Sequence, residues 1–315
     1  MILTVTLNTA LDVTYRLPEV RRHGSNRVRE VTQQAGGKGV NVARVLAALG
    51  HAPVVTGLTG GAVGRAVRED LAAAGLHDEL VEVAGETRRT VAVAEERDGD
   101  TTIYLEPGPV VSPEEWQGFL AHYGRLLPGA AVVVLSGSLP RGVPADAYRQ
   151  LVERAGVDGI PALLDADGPA LLHGIQAGPA VVKPNLHELA EATGARDPLE
   201  GAESLRAAGA GAVVASLGPD GLLACTAGGR WQARPPGRFL GNPTGAGDSA
   251  VAALALGLAA GAAWPDRLRH AVALSAATVL APQAGRFEAG AYHRLLSLVR
   301  VEEIEPAHPQ GEPCP

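Results

Sequence analysis

A glycine-rich run late in the chain, Gly241-Asn242-Pro243-Thr244-Gly245-Ala246-Gly247-Asp248-Ser249, leads directly into a long Ala/Leu helical segment. Glycines let a backbone turn tightly with its N–H groups on one side, and the following helix adds the positive end of its dipole. Gly245, Ala246 and Gly247 would then form an anion cradle, suited to charge building on a transferring phosphoryl group. Asp248, in the first helical turn beside it, is placed to take a proton from an attacking hydroxyl. The plainer reading is that Asp248 caps the helix, as Asp often does.

A second run, Gly36-Gly37-Lys38-Gly39-Val40-Asn41-Val42-Ala43-Arg44, is not a Walker A loop. Thr32 stands where its first glycine would be, and Gly39 follows the lysine in place of Ser or Thr. Here the glycines permit close approach to a ligand, Lys38 supplies a cation, and Asn41 offers a donor and an acceptor to hydroxyls. A flexible turn before a helix is the alternative. The third run, Val181-Val182-Lys183-Pro184-Asn185-Leu186-His187-Glu188-Leu189, ends a strand and opens a helix. Asn185 and Glu188, three apart, share a helical face and suit a hydrated Mg2+ between nucleotide phosphates. The same pair fits an N-cap with an acidic partner, and both readings can hold together.

Weaker signals follow two apolar strands. Ser136-Gly137-Ser138-Leu139-Pro140 offers hydroxyl and amide donors, and Ser216-Leu217-Gly218-Pro219-Asp220-Gly221 could wrap a nucleotide phosphate or ribose. Each is also an ordinary strand-to-loop turn. Arg27 and Arg88 could grip a phosphate or sit as solvated surface. The nine histidines have no ligand spacing, and His187 reads as a bystander.

The elements that must position these residues alternate. Strands are expected at Ile2–Leu7, Pro53–Gly57, Ala131–Leu135, Ala162–Asp165, Ala180–Val182 and Ala212–Ser216. Helices are expected near Gly39–Leu49, Gly64–Ala74, Ala145–Ala155, Leu186–Thr193, Ser204–Ala208, Ala246–Ala260, Pro265–Leu280 and Ala289–Val299. This alternation predicts an α/β fold, a doubly wound, mostly parallel sheet flanked by helices, with ligands at the carboxyl ends of its strands. Two polar, β-like stretches, about 12–34 and 88–105, read as a small β-sheet lid, with a turn at Asp98-Gly99-Asp100. One domain is expected over 1–300, and the acidic, Pro-rich residues 301–315 read as a frayed tail.

Composition narrows the function. A net charge of −7 with pI near 5.7 argues against a nucleic-acid partner. Cys225 and Cys314 form neither a metal spacing nor a disulfide framework, which fits a reduced cytoplasm. The amino terminus reads as a first strand with no leader, and the longest apolar run, about 250–263, is short for a bilayer. Of 27 cationic Lys and Arg residues only Lys38 and Lys183 are lysines, and both fall inside the runs above. A compact point charge in place of a planar fork is one reason for such exceptions; chance is the other.

Taken together, Gly36–Arg44, Lys183–Glu188 and Asn242–Ser249, in this order and separation, resemble the PfkB/ribokinase family of carbohydrate kinases over nearly the whole chain. Asn8-Thr9-Ala10-Leu11-Asp12, the lysine of Gly36-Gly37-Lys38-Gly39, and Glu106-Pro107-Gly108-Pro109 are similar to its 1-phosphofructokinase and tagatose-6-phosphate kinase branch. Leu105 stands where many of that branch have Asn, and Thr9 where Pro is frequent. The resemblance implies a ribokinase-like fold whose β-lid can also mediate a homodimer. It implies that Asp12, Gly36, Gly37, Lys38, Asn41, Ser136 and Ser138 bind the sugar, with Arg27, Lys38 and Arg88 on its phosphate. Lys183, Asn185, Ser216, Leu217, Gly218, Pro219, Asp220, Gly221 and Gly247 would bind ATP, and Asn185 and Glu188 would organise Mg2+ through water. The implied reaction is ATP-dependent phosphorylation of fructose 1-phosphate to fructose 1,6-bisphosphate, with Asp248 as base. Tagatose 6-phosphate or fructose 6-phosphate are the other acceptors, and a non-catalytic sugar-phosphate sensor is the alternative of another class. No membrane partner is implied.

Overall fold

The computed structural model describes residues 1–97, 99–281 and 283–305. Asp98, from the expected turn, and most of the expected tail, including Cys314, lie outside them. In chain order the first elements are β1 (Ile2–Thr6), β2 (Ala10–Leu17), β3 (Glu30–Gly36), α1 (Lys38–Ala48), β4 (Val54–Thr59), α2 (Gly61–Ala73), β5 (His77–Glu82), β6 (Arg88–Glu95) and β7 (Thr101–Leu105). Next come α3 (Pro113–Leu126), β8 (Val132–Ser136), α4 (Ala147–Val157), β9 (Ala162–Asp165), α5 (Gly168–Ile175), β10 (Val181–Val182), α6 (Leu186–Thr193) and α7 (Pro198–Ala207). The last are β11 (Ala212–Ser216), β12 (Leu222–Thr226), β13 (Gly229–Arg234), α8 (Ala246–Ala259), α9 (Trp264–Val279), α10 (Ala289–Leu296) and β14 (Arg300–Glu303).

The main sheet has the order β14-β13-β12-β11-β10-β9-β8-β1-β4-β5, parallel from β11 to β5 and antiparallel from β11 to β14. Both faces are covered, and the strands divide their side chains by strict alternation. Val133 and Leu135 enter the core beneath α3, α4 and α5, while Val132 and Val134 enter the core shared with α1, α8, α9 and α10. Leu164 and Leu163 divide the same way, as do Val182 and Val181. Continuous apolar runs are therefore what these strands require. The chain winds from β1 outward to β4 and β5, then returns to β8 on the other side of β1. That reversal opens a crevice between β1 and β8, at the carboxyl ends of the strands.

A separate sheet, β3-β2-β6-β7, forms the lid. Its strands agree with the two β-like stretches of the sequence, with β2 and β6 parallel along their length. A third apolar cluster, including Leu11, Val13, Ala35, Val40, Val63 and Val67, ties the lid base to α1 and α2.

Several elements differ from expectation. Residues 301–303 are not frayed: β14 pairs with β13, Val301 opposite Ala233, and closes the sheet edge. Helix α3 went unread although Ser112 and Glu115 form a complete capping box at its start. Helix α5, strand β5 and the β12–β13 hairpin also went unread; β12 is fully buried, so it lacks the alternation that marks a hairpin strand. Among the described residues no helix is long and apolar enough to cross a membrane.

Candidate active site

Five neighbouring strands, β11, β10, β9, β8 and β1, end along one edge and present Ser216, Lys183, Asp165, Ser136 and Thr6 in that order. Helix α8 begins over this edge. Its N-cap is Gly245, held at φ 85°, a left-handed conformation that favours glycine, and no side chain caps the helix. The reading of Asp248 as a cap is thereby set aside. Asp248 is 8% exposed, and its Oδ2 accepts a 2.8 Å hydrogen bond from Asn41 Nδ2 on α1. Burial, reinforced by the nearby charge of Asp165, pushes its carboxyl up to about 6, while Asn41, Lys38 and Lys183 pull the other way. A carboxylate with that affinity is ionised at neutral pH yet basic enough to take a proton.

Asp165, at the end of β9 and 1% exposed, faces both lysines of the chain, Lys38 Nζ at 3.3 Å and Lys183 Nζ at 3.4 Å. Lys38 also approaches Glu188 Oε1 at 3.9 Å. Burial alone would lower the Lys38 ammonium, but Asp165, Glu188 and Asp248 outweigh it and hold its pKa above the ordinary lysine range. Lys183 is 4% exposed, and its Nζ stands 3.6 Å from where a Cβ on Gly247 would lie. The ammonium thus adjoins the glycine cradle. Two compact cations share one buried carboxylate here, and a planar guanidinium would need more room.

Toward β1 the crevice is polar and unsatisfied. Among the described residues, buried Thr6 Oγ1, Asn8 Oδ1, Asn41 Oδ1 and Ser136 Oγ have no hydrogen-bond partner. Native interiors rarely leave such atoms unpaired, so four along one edge suit a hydroxyl-rich ligand. Asn8 Nδ2 donates to Ser138 Oγ at 3.1 Å, and Arg88 Nε donates to the Asn8 carbonyl at 3.1 Å. The turn between Ser136 and Ser138 is tied down by Tyr148, whose hydroxyl donates to the Gly137 carbonyl at 2.8 Å. Burial raises the Asp12 carboxyl, against the opposing Thr90 hydrogen bond and the charges of Arg88 and Arg44. A Cβ on Gly36 would overlap the Asp12 carboxylate and displace that side chain.

On the other flank Asn185 and Glu188 form the capping box of α6: Asn185 Oδ1 accepts from Glu188 N at 2.9 Å, and Glu188 Oε2 from Asn185 N at 2.8 Å. This leaves Glu188 Oε1 directed toward Lys38. One carboxylate oxygen beside the lysines of the crevice fits Mg2+, which takes few protein ligands and keeps its waters; among the described residues no group of three or more His, Cys, Asp or Glu side chains could hold a metal. Ser216 bridges to Asn185, and Leu217 N donates to Gly221 O at 2.8 Å, folding residues 216–221 into a compact turn beside them.

The tertiary structure thus assembles Asp248, the 245–247 cradle, Asn41, Lys38, Lys183, Asn185 and Glu188. Arg27 is not among them. It is exposed in the loop joining β2 to β3, and register places Ala10 opposite Gly36 at the crevice end but Arg16 opposite Glu30 at the other. Six strand residues separate the two ends by about 20 Å. Lys38 and Arg88, expected on one phosphate, have different partners, carboxylates for Lys38 and the Asn8 carbonyl and Thr90 for Arg88. Asp165 was missed; its signal was an acid ending an otherwise apolar buried strand, Ala162-Leu163-Leu164-Asp165.

The family model described as pfkB family carbohydrate kinase matches residues 5–288. Phosphofructokinase-2 from Escherichia coli, solved in complex with potassium, is 30% identical with a TM-score of 0.89, covering 94% of this chain and 98% of that one. The same protein has been solved in complex with fructose-6-phosphate, at 30% identity, a TM-score of 0.86 and the same coverage of 94% and 98%. A possible 1-phosphofructokinase from Thermotoga maritima is 26% identical, with a TM-score of 0.87 and coverage of 96% and 99%. Ribokinase from Arabidopsis thaliana, at 20% identity, a TM-score of 0.73 and coverage of 94% and 98%, shares the fold. With the match spanning both glycine runs and the lid, this chain belongs to the pfkB family of carbohydrate kinases.

Proposed function

We propose that this carbohydrate kinase transfers the γ-phosphoryl group of ATP to fructose 1-phosphate, giving fructose 1,6-bisphosphate, with Asp248 as general base. The observation that carries the reading is Asp248 itself. It is buried, basic for a carboxylate and hydrogen-bonded to Asn41, between the unsatisfied polar atoms near β1 and the glycine cradle beside Lys183. The acceptor sugar occupies the β1–β8 side, where Asn41 Oδ1, Asn8, Ser136 and Asp12 meet its hydroxyls. Arg88, at the lid base, takes its phosphate. Asp248 removes the proton from the attacking hydroxyl as that oxygen bonds to phosphorus and ADP leaves in line. Lys183 and the N–H groups at the start of α8 receive the charge on the transferring oxygens. Glu188 and Asn185 would hold a hydrated Mg2+, which would supply positive charge to the nucleotide phosphates. Lowering the lid excludes water, which favours the sugar hydroxyl over hydrolysis.

The acceptor's identity rests on the Asn8–Asp12, Lys38 and Glu106–Pro109 segments. Fructose 6-phosphate is the second reading, favoured by the fructose-6-phosphate complex of the 30% identical Escherichia coli protein. The lid carries exposed apolar residues, Ile103 and Leu105 on one face of its sheet and Val31 and Tyr104 on the other, and we assign the lid to pairing of two copies. Coupled ADP release with Mg-ATP against fructose 1-phosphate, fructose 6-phosphate, tagatose 6-phosphate and fructose tests the assignment. Highest kcat/KM with fructose 1-phosphate is expected. Preference for another phosphosugar would overturn the acceptor, and no turnover with any of them would bring the sensor forward.

A further inference from the structure

The first turn of α8 is held from behind by three hydroxyls of α8 and α9. Ser275 Oγ donates to the carbonyl of Ala246 at 2.8 Å. Ser249 Oγ meets Thr278 Oγ1 at 2.6 Å; because Thr278 Oγ1 donates to the Leu274 carbonyl at 3.0 Å, Ser249 is the donor in that pair. Thr278 makes the local bond to its own helix that mid-helix hydroxyls usually make. Ser275 does not. It interrupts an apolar stretch, Ala271-Val272-Ala273-Leu274, and reaches across to another helix instead.

The carbonyl it reaches belongs to the same peptide unit as the N–H of Gly247. A peptide unit is planar, and this one is trans, so its C=O and N–H point in opposite directions. Fixing the Ala246 oxygen toward Ser275 therefore aims the Gly247 N–H away from that hydroxyl, and a Cβ on Gly247 would lie 3.6 Å from Lys183 Nζ. Among the described residues neither the Gly247 nor the Asp248 N–H has a protein acceptor, whereas Ala246 N donates to Pro243 O at 3.1 Å and Ser249 N to Gly245 O at 2.9 Å; of the two free donors, Gly247 N–H is the one whose peptide carbonyl Ser275 holds. A hydrogen bond accepted by a carbonyl also polarises the attached N–H, strengthening it as a donor.

We infer that Ser275 is a positioning residue for phosphoryl transfer: through the Ala246–Gly247 peptide it orients and polarises the Gly247 N–H that faces the transferring group. This rests on the reading of residues 245–247 as the anion cradle. An oriented donor contributes most where charge is redistributed over the equatorial oxygens in the transition state, so the contribution falls on kcat and spares ground-state binding.

The test compares wild type, Ser275→Ala and Ser275→Thr by steady-state kinetics and by the backbone 15N shift of Gly247, assigned through its loss in Gly247→Ala. Ser275→Ala is expected to lower kcat about tenfold, with KM for ATP and acceptor within about twofold. Affinity for ADP with aluminium fluoride and the acceptor should fall by the same factor while ADP affinity holds. The Gly247 15N resonance should move, and Ser275→Thr should restore both readouts. Unchanged kcat, or an unmoved Gly247 resonance, overturns the inference. So does a kcat loss that Ser275→Thr fails to rescue. Should wild type turn over no acceptor, the kinase assignment of the crevice fails, while a moved resonance still upholds the Ser275–Gly247 coupling.

Discussion

Asp165, Lys183 and Asp248 are 1%, 4% and 8% exposed at the ends of β9 and β10 and the start of α8, whereas Val31, Ile103, Tyr104 and Leu105 on the lid are 53%, 49%, 60% and 70% exposed. The crevice places charge in low dielectric on elements whose other residues fill two cores. There burial raises the Asp248 carboxyl, because water cannot screen the charge. The lid has one face against α2 and the other open, so its residues are held by strand pairing and a small apolar base. On the proposed reading, chemistry falls to the buried crevice, and access and partner contacts fall to the exposed lid. The same burial that raises the Asp248 carboxyl also makes its ionised form a cost to folding.

That contrast breaks first at Asp248. Asp248→Asn should lower kcat about a thousandfold, read by coupled ADP release, with ligand affinity retained by titration. For the wild type, kcat/KM should rise with pH through about 6 as Asp248 ionises. Stability runs the other way. The folded carboxyl holds its proton more tightly than the unfolded chain does, so acidification from about 6 toward 3.8 should favour the folded state at this site. Asp248→Asn should accordingly raise Tm at pH 8, and a lower Tm would refute the assigned cost.

Asp165→Asn removes the carboxylate that Lys38 and Lys183 share. It should destabilise the chain by about 3 kcal/mol in urea unfolding, since a buried cation loses its partner. It also removes a charge that raises Asp248, so the acidic limb of kcat/KM should move to lower pH. A limb that stays in place would show that Asp165 does not tune the base.

Smaller effects belong to the lid. Arg88→Ala should raise the KM for the phosphosugar about tenfold with kcat little changed. Arg27→Ala should leave that KM within about twofold, given its place at the far end of the β2–β3 hairpin. A rise matching that of Arg88→Ala would mean that a site is completed by a second copy's lid. Least of all, Tyr104→Ser should change stability by about 0.5 kcal/mol or less, being exposed, while weakening self-association in sedimentation.

Much of the site was legible before any fold was considered, because phosphoryl transfer asks for residue types that carry their own signatures. Glycines beside Asp248, glycines around Lys38, and Asn185 with Glu188 at a strand-to-helix junction each have a local physical reason. The parallel sheet was legible too, since strands buried on both faces read as apolar runs between helices. The short or unalternating pieces were not: α5 spans eight residues and β12 is buried throughout. Asn185 and Glu188 show why local reasons can coexist, for the capping box uses one carboxylate oxygen and leaves the other toward Lys38.

The sequence by itself determined the kinds of groups available and which of them sit on turns at strand ends, because those properties depend on neighbours along the chain. Tertiary structure alone decided who meets whom. Asn41 and Asp248 are 207 residues apart and joined by one hydrogen bond, and Lys38 and Asp165 are 127 apart and paired. It also gave Asp165 its central place, left Arg27 outside, and turned Ser275 toward the Ala246 carbonyl. Such contacts follow from the order and register of strands and from which helix covers which face, quantities that short-range spacing does not encode.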